Sequence, residues 1–448
     1  MPRRILIVLA IAVIIIVPVF AFDSPLLARA AVIAGICLVL WLSEAVPPFV
    51  PTFLLFTLTP LLLGSVDEKF SLDNVLTWAV DPVLALFFGG FVLGVAAHRF
   101  GLDERLAEFA VRAAGKSYAA FLLLVILLTA FLSMWMSNIA AASLMLACLR
   151  PILNDFESES LLRRTLLVGI AMGANLGGIS TPIGTGSNAI AVAAIEPVRS
   201  ISFLEWMFFA VPLAAGMIAV LFLILLLTAK KARGEWVEKI AGHSAAARQM
   251  AEDRWKQIAF SAILLATIVL WLTEPWHKVP AAVVSLGATS VLFFSQMLKA
   301  EDLLKIDWST LLLIAGGITL GRILEQSELI KVLAGSVIWS EFNPTLALFL
   351  LCLASATLAA LMSNTASVVI LIPLAMTISP APSTAILVAV AASFGLPFVV
   401  STPPNAMVYG EGGVRFKDLF VPGIVLMLTG CLLVSLTGRF VLNLVGIP

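Results

Sequence analysis

Two short polar triplets interrupt the apolar chain, Ser137-Asn138-Ile139 and Ser363-Asn364-Thr365. They lie 226 residues apart, and each stands inside a long hydrophobic stretch with no charged residue close to it. In a bilayer, polar groups persist only where other protein groups or a wet cavity satisfy them. The triplets therefore point to a binding site, and their recurrence points to a duplicated chain.

The composition is that of a membrane protein. Of the 448 residues, 61% are hydrophobic and 12% are charged, and the mean hydropathy is +1.09. Soluble globular domains carry about 25% charged residues. The formal net charge is zero and the basic residues gather in short loops, which argues against nucleic-acid binding. The four cysteines stand singly, so no disulfide framework or thiolate metal site is expected.

Apolar segments of about 20 residues are long enough to cross a bilayer as helices. The sequence predicts eleven such spans: Ile5–Ala21, Leu26–Val46, Pro48–Gly64, Pro82–Ala97, Leu166–Ile195, Met207–Ala229, Ile258–Glu274, Val279–Leu298, Trp308–Leu324, Thr384–Val400 and Leu419–Val445. The first is favoured over a signal peptide because no clear cleavage site follows it. Regions 119–153 and 345–378 are too long for one helix, and each is predicted to be a re-entrant helical hairpin with its triplet at the tip.

The loop charges favour the same topology. If the N-terminus is cytoplasmic and both hairpins return to the side they enter from, the inside loops are 98–117, 150–165, 230–256, 299–307 and 410–418. These loops and the N-terminus hold 20 of the 27 Lys and Arg residues, as the positive-inside rule requires. We therefore expect a multi-pass protein of the inner (plasma) membrane with a cytoplasmic N-terminus.

The second half of the chain repeats the first in order. The matching pairs are Trp41-Leu42-Ser43-Glu44 with Trp271-Leu272-Thr273-Glu274, Gly89–Gly94 with Gly316–Gly321, the two triplets, and Gly184–Asn188 with Ser401–Asn405. Each repeat contains five spans, an odd number, so the halves are predicted to have inverted topology. The predicted organisation is an N-terminal helix (1–24), a first repeat (25–229) with its hairpin on the cytoplasmic side, a cytoplasmic linker (230–256) and a second repeat (257–448) with its hairpin on the opposite side.

Inverted repeats with broken helices are the common plan of secondary transporters, which bind their substrate near the bilayer midplane. Ser and Asn at a hairpin tip can donate to a carboxylate or turn an oxygen toward a cation. The segments Gly184–Asn188 and Ser401–Asn405 are predicted to be further breaks. Pro403-Pro404 lacks two backbone donors and is expected to unwind its helix.

Basic residues are missing from the motifs. No Lys, Arg or His lies within ten residues of Asn138, Asn188 or Asn364. A desolvated anion without a counter-charge is costly, and co-bound cations are the simplest remedy. We therefore predict sodium coupling, which is favoured over proton coupling because the motifs contain no Asp, Glu or His.

These residues resemble the divalent anion/sodium symporter family, which includes the INDY-type di- and tricarboxylate transporters. The resemblance runs from the segment Trp41–Pro47 to Pro422, and its specific marks are the two tips and Ser401–Asn405. It implies a homodimer whose protomers have a scaffold part and a transport part. It also implies an elevator-like movement of the transport part.

The resemblance implies a set of site residues as well. The substrate would meet Ser137, Asn138, Ser363, Asn364, Thr365 and Thr402. One sodium ion would bind Ser133, Ser137, Asn138 and Gly184, and another Ala359, Met362, Asn364 and Ser401. The supporting breaks would contain Thr185, Asn188, Pro403, Pro404 and Asn405. Sodium is the expected coupling ion, and no covalent cofactor is implied.

Two positions depart from the family pattern. Ile139 stands where the family has Thr, and Gly186-Ser187 stands where it has a proline pair. Both lie in the first half, so either the substrate or the first cation site could differ from the family. The expected function is sodium-coupled transport of a small divalent anion, most simply a C4-dicarboxylate such as succinate, malate or fumarate.

Three alternatives stay open. Within transport, these are a sodium-independent anion exchanger and a transporter of a sulfate-like oxyanion. A membrane-embedded enzyme is a distant third, because catalysis would need a nucleophile with a base or a metal site. The three histidines, His98, His243 and His277, all lie in predicted loops or span ends.

Overall fold

The computed structural model describes residues 24–43, 45–47, 49–101, 117–229, 254–329 and 343–447, with the isolated positions 13, 14, 17, 18, 22, 113 and 332. Within these residues the chain is helical and has no β-strand. Three parts of the sequence analysis fall outside the described residues: all but four residues of the predicted span Ile5–Ala21, most of the linker 230–256, and Glu44.

The described helices follow one another in the order that the repeat predicts. In the first half they are α1 (Pro25–Ser43), α2 (Val50–Leu58, continued by a π-helical turn Thr59–Leu63), α3 (Leu72–Ala79), α4 (Pro82–Arg99), α5 (Tyr118–Ser133), α6 (Asn138–Leu153), α7 (Leu161–Gly178), α8 (Gly186–Ile195) and α9 (Phe203–Ala229). In the second half they are α10 (Arg254–Leu272), α11 (Ala281–Phe294), α12 (Trp308–Gln326), α13 (Pro344–Leu361), α14 (Asn364–Ile378), α15 (Pro382–Ala392), α16 (Pro403–Gly410) and α17 (Phe416–Leu444). Shorter helical turns are Glu68–Phe70, Glu274–His277, Ala300–Lys305 and Val399–Ser401.

The protein is an all-α polytopic membrane protein. Six of the described helices are long and apolar enough to cross a bilayer: Pro82–Arg99, Phe203–Ala229, Trp255–Leu272, Trp308–Gln326, Pro344–Leu361 and Phe416–Leu444. Several carry large apolar side chains that face outward, such as Leu227 (70% exposed) and Leu265 (63% exposed). Apolar surface of this extent is suited to lipid rather than to water.

Two predicted spans are interrupted, but their breaks begin earlier than the predicted segments Gly184–Asn188 and Ser401–Asn405. Leu166–Ile195 is divided at residues 179–185, which we call the first break, and Thr384–Val400 ends early at residues 393–402, the second break. In the first break Pro182 has no N–H to donate to a helix, and Gly184 lies so close to the end of α7 that an added Cβ would overlap the Gly178 carbonyl. The two breaks occupy equivalent positions in the two halves.

The expected effect of Pro403-Pro404 is also wrong. The two prolines do not unwind a helix but begin one, because they occupy the first two positions of α16. A helix does not use the N–H groups of its first turn, and the fixed φ of proline suits this position. Asn188 and Asn405 likewise lie in the first turns of α8 and α16, just after the breaks.

Both regions with a triplet form two helices that pack against each other. In the first helix pair, α5 and α6 are joined by residues 134–137, the first tip. In the second, α13 and α14 are joined by Met362 and Ser363, the second tip. Whether these pairs are re-entrant in a membrane stays a prediction, as do the inverted topology and the domain boundaries.

The helices pack as two groups. The first group consists of helices α5–α9 and α13–α17. Its central members, α7 and α15, are almost wholly buried. Helices α1–α4 and α10–α12 contact this group chiefly where α12 meets α8 and α14. Both tips and both breaks belong to the first group, which therefore carries the candidate site.

Candidate functional site

The first tip is shaped by a helix cap. Ser137 precedes α6, and its Oγ accepts a hydrogen bond from the backbone N–H of Ala140 at 3.2 Å. This is the interaction that makes serine a favoured residue before a helix. As a result Asn138 is the first residue of α6, and its side chain lies against Ser133 at the end of α5.

A hydrogen bond joins the end of α13, next to the second tip, to the second break. Ser401 Oγ donates to the carbonyl of Ala360 at 3.0 Å and accepts from the N–H of Phe398 at 2.9 Å. Asn364 begins α14, and its Oδ1 is buried without a hydrogen-bond partner among the described residues. A buried amide oxygen without a partner is costly, so this atom is free to bind a ligand.

Both tips and both breaks line one cavity of about 600 Å³. All six predicted substrate residues line it: Ser137, Asn138, Ser363, Asn364, Thr365 and Thr402. The predicted residues Gly184, Thr185, Ser401, Pro403 and Pro404 line it too. The others, Ser133, Ala359, Met362, Asn188 and Asn405, are buried behind its wall.

Four helices begin at the cavity. The first residues of α6, α8, α14 and α16 are Asn138, Gly186, Asn364 and Pro403, and all four line it. The positive end of a helix dipole favours an anion by up to about 2 kcal/mol in partly buried sites. In α16 only the dipole contributes at the first two positions, because Pro403 and Pro404 have no N–H. These helix ends therefore favour an anion although no basic side chain is among the described lining residues.

Among the described lining residues of the cavity, one side chain is charged. Asp307 caps α12, and its carboxylate accepts from the Thr310 N–H at 3.0 Å and from Thr310 Oγ1 at 2.5 Å. No Lys, Arg or His is among the described lining residues. The Asp307 carboxylate offsets the positive end of the α12 dipole. A bound anion is therefore stabilised more strongly beside the tips and breaks than beside α12.

The Asn138 amide group lies among oxygens. In one orientation Oδ1 is 2.7 Å from Ser133 Oγ, and Nδ2 donates to Asn175 Oδ1 at 3.3 Å. In the other, the nitrogen donates to Ser133 Oγ at 2.7 Å and to the carbonyls of Gly184 at 3.2 Å and Ala174 at 3.3 Å, and the oxygen turns toward Asn175 Oδ1. The first orientation leaves Oδ1 beside two carbonyl oxygens, whereas the second satisfies those carbonyls and brings the oxygen to Asn175 Oδ1. A cation between Asn138 Oδ1, Ser133 Oγ and the Gly184 carbonyl would remove the conflict.

The spacing of these oxygens suits a cation. Oxygens that share a hard cation at about 2.4 Å in octahedral geometry lie about 3.4 Å apart. The amide atom of Asn138 that faces these carbonyls lies 3.2 Å from Gly184 O and 3.3 Å from Ala174 O. The Gly184 and Ala174 carbonyls are therefore near the spacing that a small hard ion requires, whereas Ser133 Oγ, at 2.7 Å from Asn138, is at hydrogen-bond distance and would have to move apart from it.

Asn188 and Asn405 play matching parts behind the two breaks. The Asn188 amide donates to the carbonyls of Gly178 at 3.0 Å and Thr181 at 2.8 Å. The Asn405 amide donates to the carbonyls of Leu396 at 2.9 Å and Phe398 at 3.0 Å. Both side chains are fully buried. Each asparagine thus satisfies carbonyls that its break removes from a helix.

Gly186 has a specific reason to lack a side chain. A Cβ added there would lie 2.6 Å from Thr365 Oγ1, so Gly186 allows the second tip helix to approach the start of α8. Ile139, the other departure from the family pattern, is 41% exposed and lines the cavity with its apolar side chain. The first half therefore contributes less hydrogen bonding, and Thr365 of the second half fills the space beside it.

Sequence reasoning missed Asn175. This residue of α7 is 1% exposed, lines the cavity, and donates to Thr402 Oγ1 at 3.0 Å. The available signal was a lone asparagine in the Gly- and Ala-rich run 169–178. The sequence also gave no weight to the apolar wall residues Phe87, Phe91 and Ile183.

The chain matches a known family along most of its length. The sequence model described as "Citrate transporter" (CitMHS) matches residues 38–381 and 268–446. The chain belongs to the citrate transporter family. It is thus a membrane transporter and not an enzyme, and the predicted kinship with divalent anion transporters is confirmed.

Several known transporters are similar in sequence to this member of the citrate transporter family. An uncharacterized transporter of Haemophilus influenzae is 30% identical, over 89% of this chain and 88% of the relative. The sodium-dependent dicarboxylate transporter SdcS of Staphylococcus saprophyticus is 26% identical, over 89% of this chain and 83% of the relative. An inorganic phosphate transporter of Saccharomyces cerevisiae is 28% identical over 70% of this chain, which spans only 34% of that relative.

The fold also has a counterpart among solved structures. The YdaH transporter of Alcanivorax borkumensis, described as having an unusual topology, aligns with a TM-score of 0.55 over 89% of this chain and 98% of that one. The sequence identity is 16%. At this identity the similarity establishes the shared fold alone.

Proposed function

We propose that this transporter couples the uptake of a small divalent anion to sodium, with C4-dicarboxylates such as succinate, malate and fumarate as substrates. The observation that carries the proposal is the meeting of four helix N-termini at a cavity that has no basic side chain among its described lining residues. Such a cavity attracts an anion but does not neutralise it, so co-bound cations complete the charge balance. A relative named as a sodium-dependent dicarboxylate transporter supports the choice of ion and substrate.

The two ends of the anion have separate partners in this proposal. Ser137 and Asn138 would hold one carboxylate, and Ser363, Asn364 and Thr365 the other. Thr402 on the second break also lines the cavity and would add a hydroxyl donor. The first carboxylate would be held less firmly than the second, because Ile139 has no hydroxyl.

Two sodium sites are part of the proposal. The first would use Ser133, Ser137, Asn138 and the Gly184 carbonyl, where an amide oxygen meets other oxygens. The second would use the Asn364 Oδ1 atom, which lacks a partner among the described residues, with Ser401 and the carbonyls of Ala359 and Met362. Uncharged oxygen ligands suit a monovalent hard ion.

The proposed transport cycle moves one helix group against the other. Helices α5–α9 and α13–α17 would carry the site as the moving part, and the remaining helices would form the scaffold. The limited contact through α12 is consistent with such an elevator movement. The proposal includes re-entrant helix pairs in inverted repeats, a homodimer, and a plasma-membrane location with a cytoplasmic N-terminus.

Uptake by proteoliposomes tests the proposal directly. An inward sodium gradient is expected to drive accumulation of labelled succinate at least tenfold above that with choline, because the anion and sodium bind together. The initial rate would be measured against protein-free liposomes. Succinate accumulation that is indifferent to sodium would refute the coupling.

A phosphate-like oxyanion is the second candidate, and the similarity to a phosphate transporter favours it. The same liposomes would receive labelled phosphate and sulfate, with and without sodium. Liposomes loaded with unlabelled succinate would detect sodium-independent exchange. Transport of phosphate but not succinate would replace the proposed substrate, and exchange in choline would replace the proposed coupling.

Restoring a hydroxyl at the first tip should strengthen anion binding. Ile139→Thr adds a donor where an apolar side chain now faces the cavity, and one added hydrogen bond is worth about 0.5–1.5 kcal/mol. We expect the KM for succinate to fall about two- to tenfold. Ile139→Val, which adds no hydroxyl, is the matched control, and equal KM values for both variants would contradict the assigned role of this position.

A further inference from the structure

Asn175 lies between the first tip and the second break. Its Oδ1 accepts from Asn138 Nδ2 at 3.3 Å, and its Nδ2 donates to Thr402 Oγ1 at 3.0 Å and to the carbonyl of Ala171 at 2.9 Å. Ser133 extends the same chain through its 2.7 Å contact with Asn138. An unbroken series of polar contacts therefore joins the first candidate cation site to a residue of the anion cavity from the other half.

The direction of these hydrogen bonds depends on the Asn138 amide. A cation at the first site holds Asn138 Oδ1 toward Ser133 and Gly184, which leaves Nδ2 facing Asn175. Asn175 must then offer Oδ1 to Asn138 and its own nitrogen to Thr402, as in the distances above. The cation thereby fixes the orientation of both amide groups.

The orientation of Asn175 decides what Thr402 can do. Thr402 Oγ1 accepts from Asn175 Nδ2 at 3.0 Å and from the Asn405 N–H at 3.4 Å. A hydroxyl that already accepts two hydrogen bonds directs its own hydrogen elsewhere, and Thr402 lines the cavity. Its hydrogen is then available to the anion.

Without the cation the series can reverse. The Asn138 nitrogen then turns to the carbonyls of Gly184 and Ala174, and its oxygen faces Asn175. If Asn175 turns to donate to that oxygen, it gives up its hydrogen bond to the Ala171 carbonyl and presents Oδ1 to Thr402, which donates to it. The anion loses a donor in this arrangement.

We propose that Asn175 is a positioning residue that links occupancy of the first cation site to anion binding at Thr402. The inference rests on the proposed function and adds a route by which sodium raises anion affinity. By thermodynamic reciprocity, the anion must raise sodium affinity by the same factor. Asn175 need not touch either ligand to act in this way.

The test measures the coupling factor, which is the ratio of succinate Kd values in choline and in sodium, in the purified full-length protein. In Asn175→Ala we expect this factor to fall about tenfold, toward one. Ser355→Ala is the matched control, since Ser355 donates one buried hydrogen bond to Val388 at 2.8 Å and does not line the cavity. A merely structural loss would weaken binding in both salts and leave the ratio unchanged.

Thr402→Val provides a second measurement. It should weaken succinate binding in sodium about tenfold, and adding Asn175→Ala to it should cause little further loss, because both changes break the same series. Asn175→Ser, whose hydroxyl is too short to reach both partners, serves if the alanine variant does not fold. A wild-type coupling factor in the Asn175 variants, or fully additive losses in the double variant, would overturn the inference. A wild-type factor of one would instead refute sodium coupling itself, and the inference with it.

Discussion

Alanine at Asn138 or at Asn364 is expected to abolish transport while the protein still folds. Both side chains line the cavity at the first residue of a helix, and each is proposed to contact the anion and a sodium ion. Hydrogen bonds to charged groups contribute about 1.5–3 kcal/mol each. Losing two such interactions should lower the initial rate of uptake about 100-fold or more, which proteoliposome assays at saturating sodium would measure.

The control for these variants is an asparagine outside the cavity. Asn154 follows the far end of α6, is exposed, and does not line the cavity, so Asn154→Ala should transport at the wild-type rate. Elution volume and thermal unfolding in detergent would verify that all three variants are folded. Wild-type rates in both Asn138→Ala and Asn364→Ala would remove the tips from the mechanism.

Gly178→Ala should have the next largest effect. A Cβ at Gly178 would overlap Asn138 Oδ1 and lie 3.0 Å from the Gly184 carbonyl. The methyl group would therefore push apart the atoms proposed to bind the first sodium ion. Overpacking of a tight interior typically costs about 1–3 kcal/mol, so we expect a rise of about five- to 150-fold in the sodium concentration for half-maximal transport, measured by sodium titration of uptake.

Gly216→Ala is the matched control for this substitution. Gly216 lies on α9, and a Cβ added there meets no atom within 4 Å. Alanine also suits a helix better than glycine by about 1 kcal/mol, so this variant should keep its sodium dependence and lose no stability. An unchanged sodium titration for Gly178→Ala would show that the site does not need the close approach of α7 to Asn138.

The helix pairs were predictable because their signals are local. A Ser-Asn pair in the middle of a segment too long for one helix predicts a turn, and α6 and α14 begin directly after Ser137 and Ser363. The six predicted substrate residues came together in one cavity because the repeat gives both halves the same order of helices. The breaks were found but misplaced, since proline disrupts a helix interior and begins a helix equally well.

Local pattern could not reveal the contacts between distant residues. Asn175 and Thr402 are 227 residues apart, and their hydrogen bond exists only because α7 packs against α16. The sequence around Gly186 does not predict that Thr365 lies against it. Such pairs depend on how whole helices are placed, which neighbouring residues do not encode.

The amino-acid order alone was enough to predict a polytopic transporter with two polar tips, because apolar length and the polar residues that interrupt it can be recognised within a few tens of residues. The packing of the helices decided the chemistry of the site. It brought four helix N-termini to one cavity, set the Asn138 oxygen among carbonyls, and placed Asn175 between the two halves. These are properties of distance and direction between segments, and they arise only once the chain has folded.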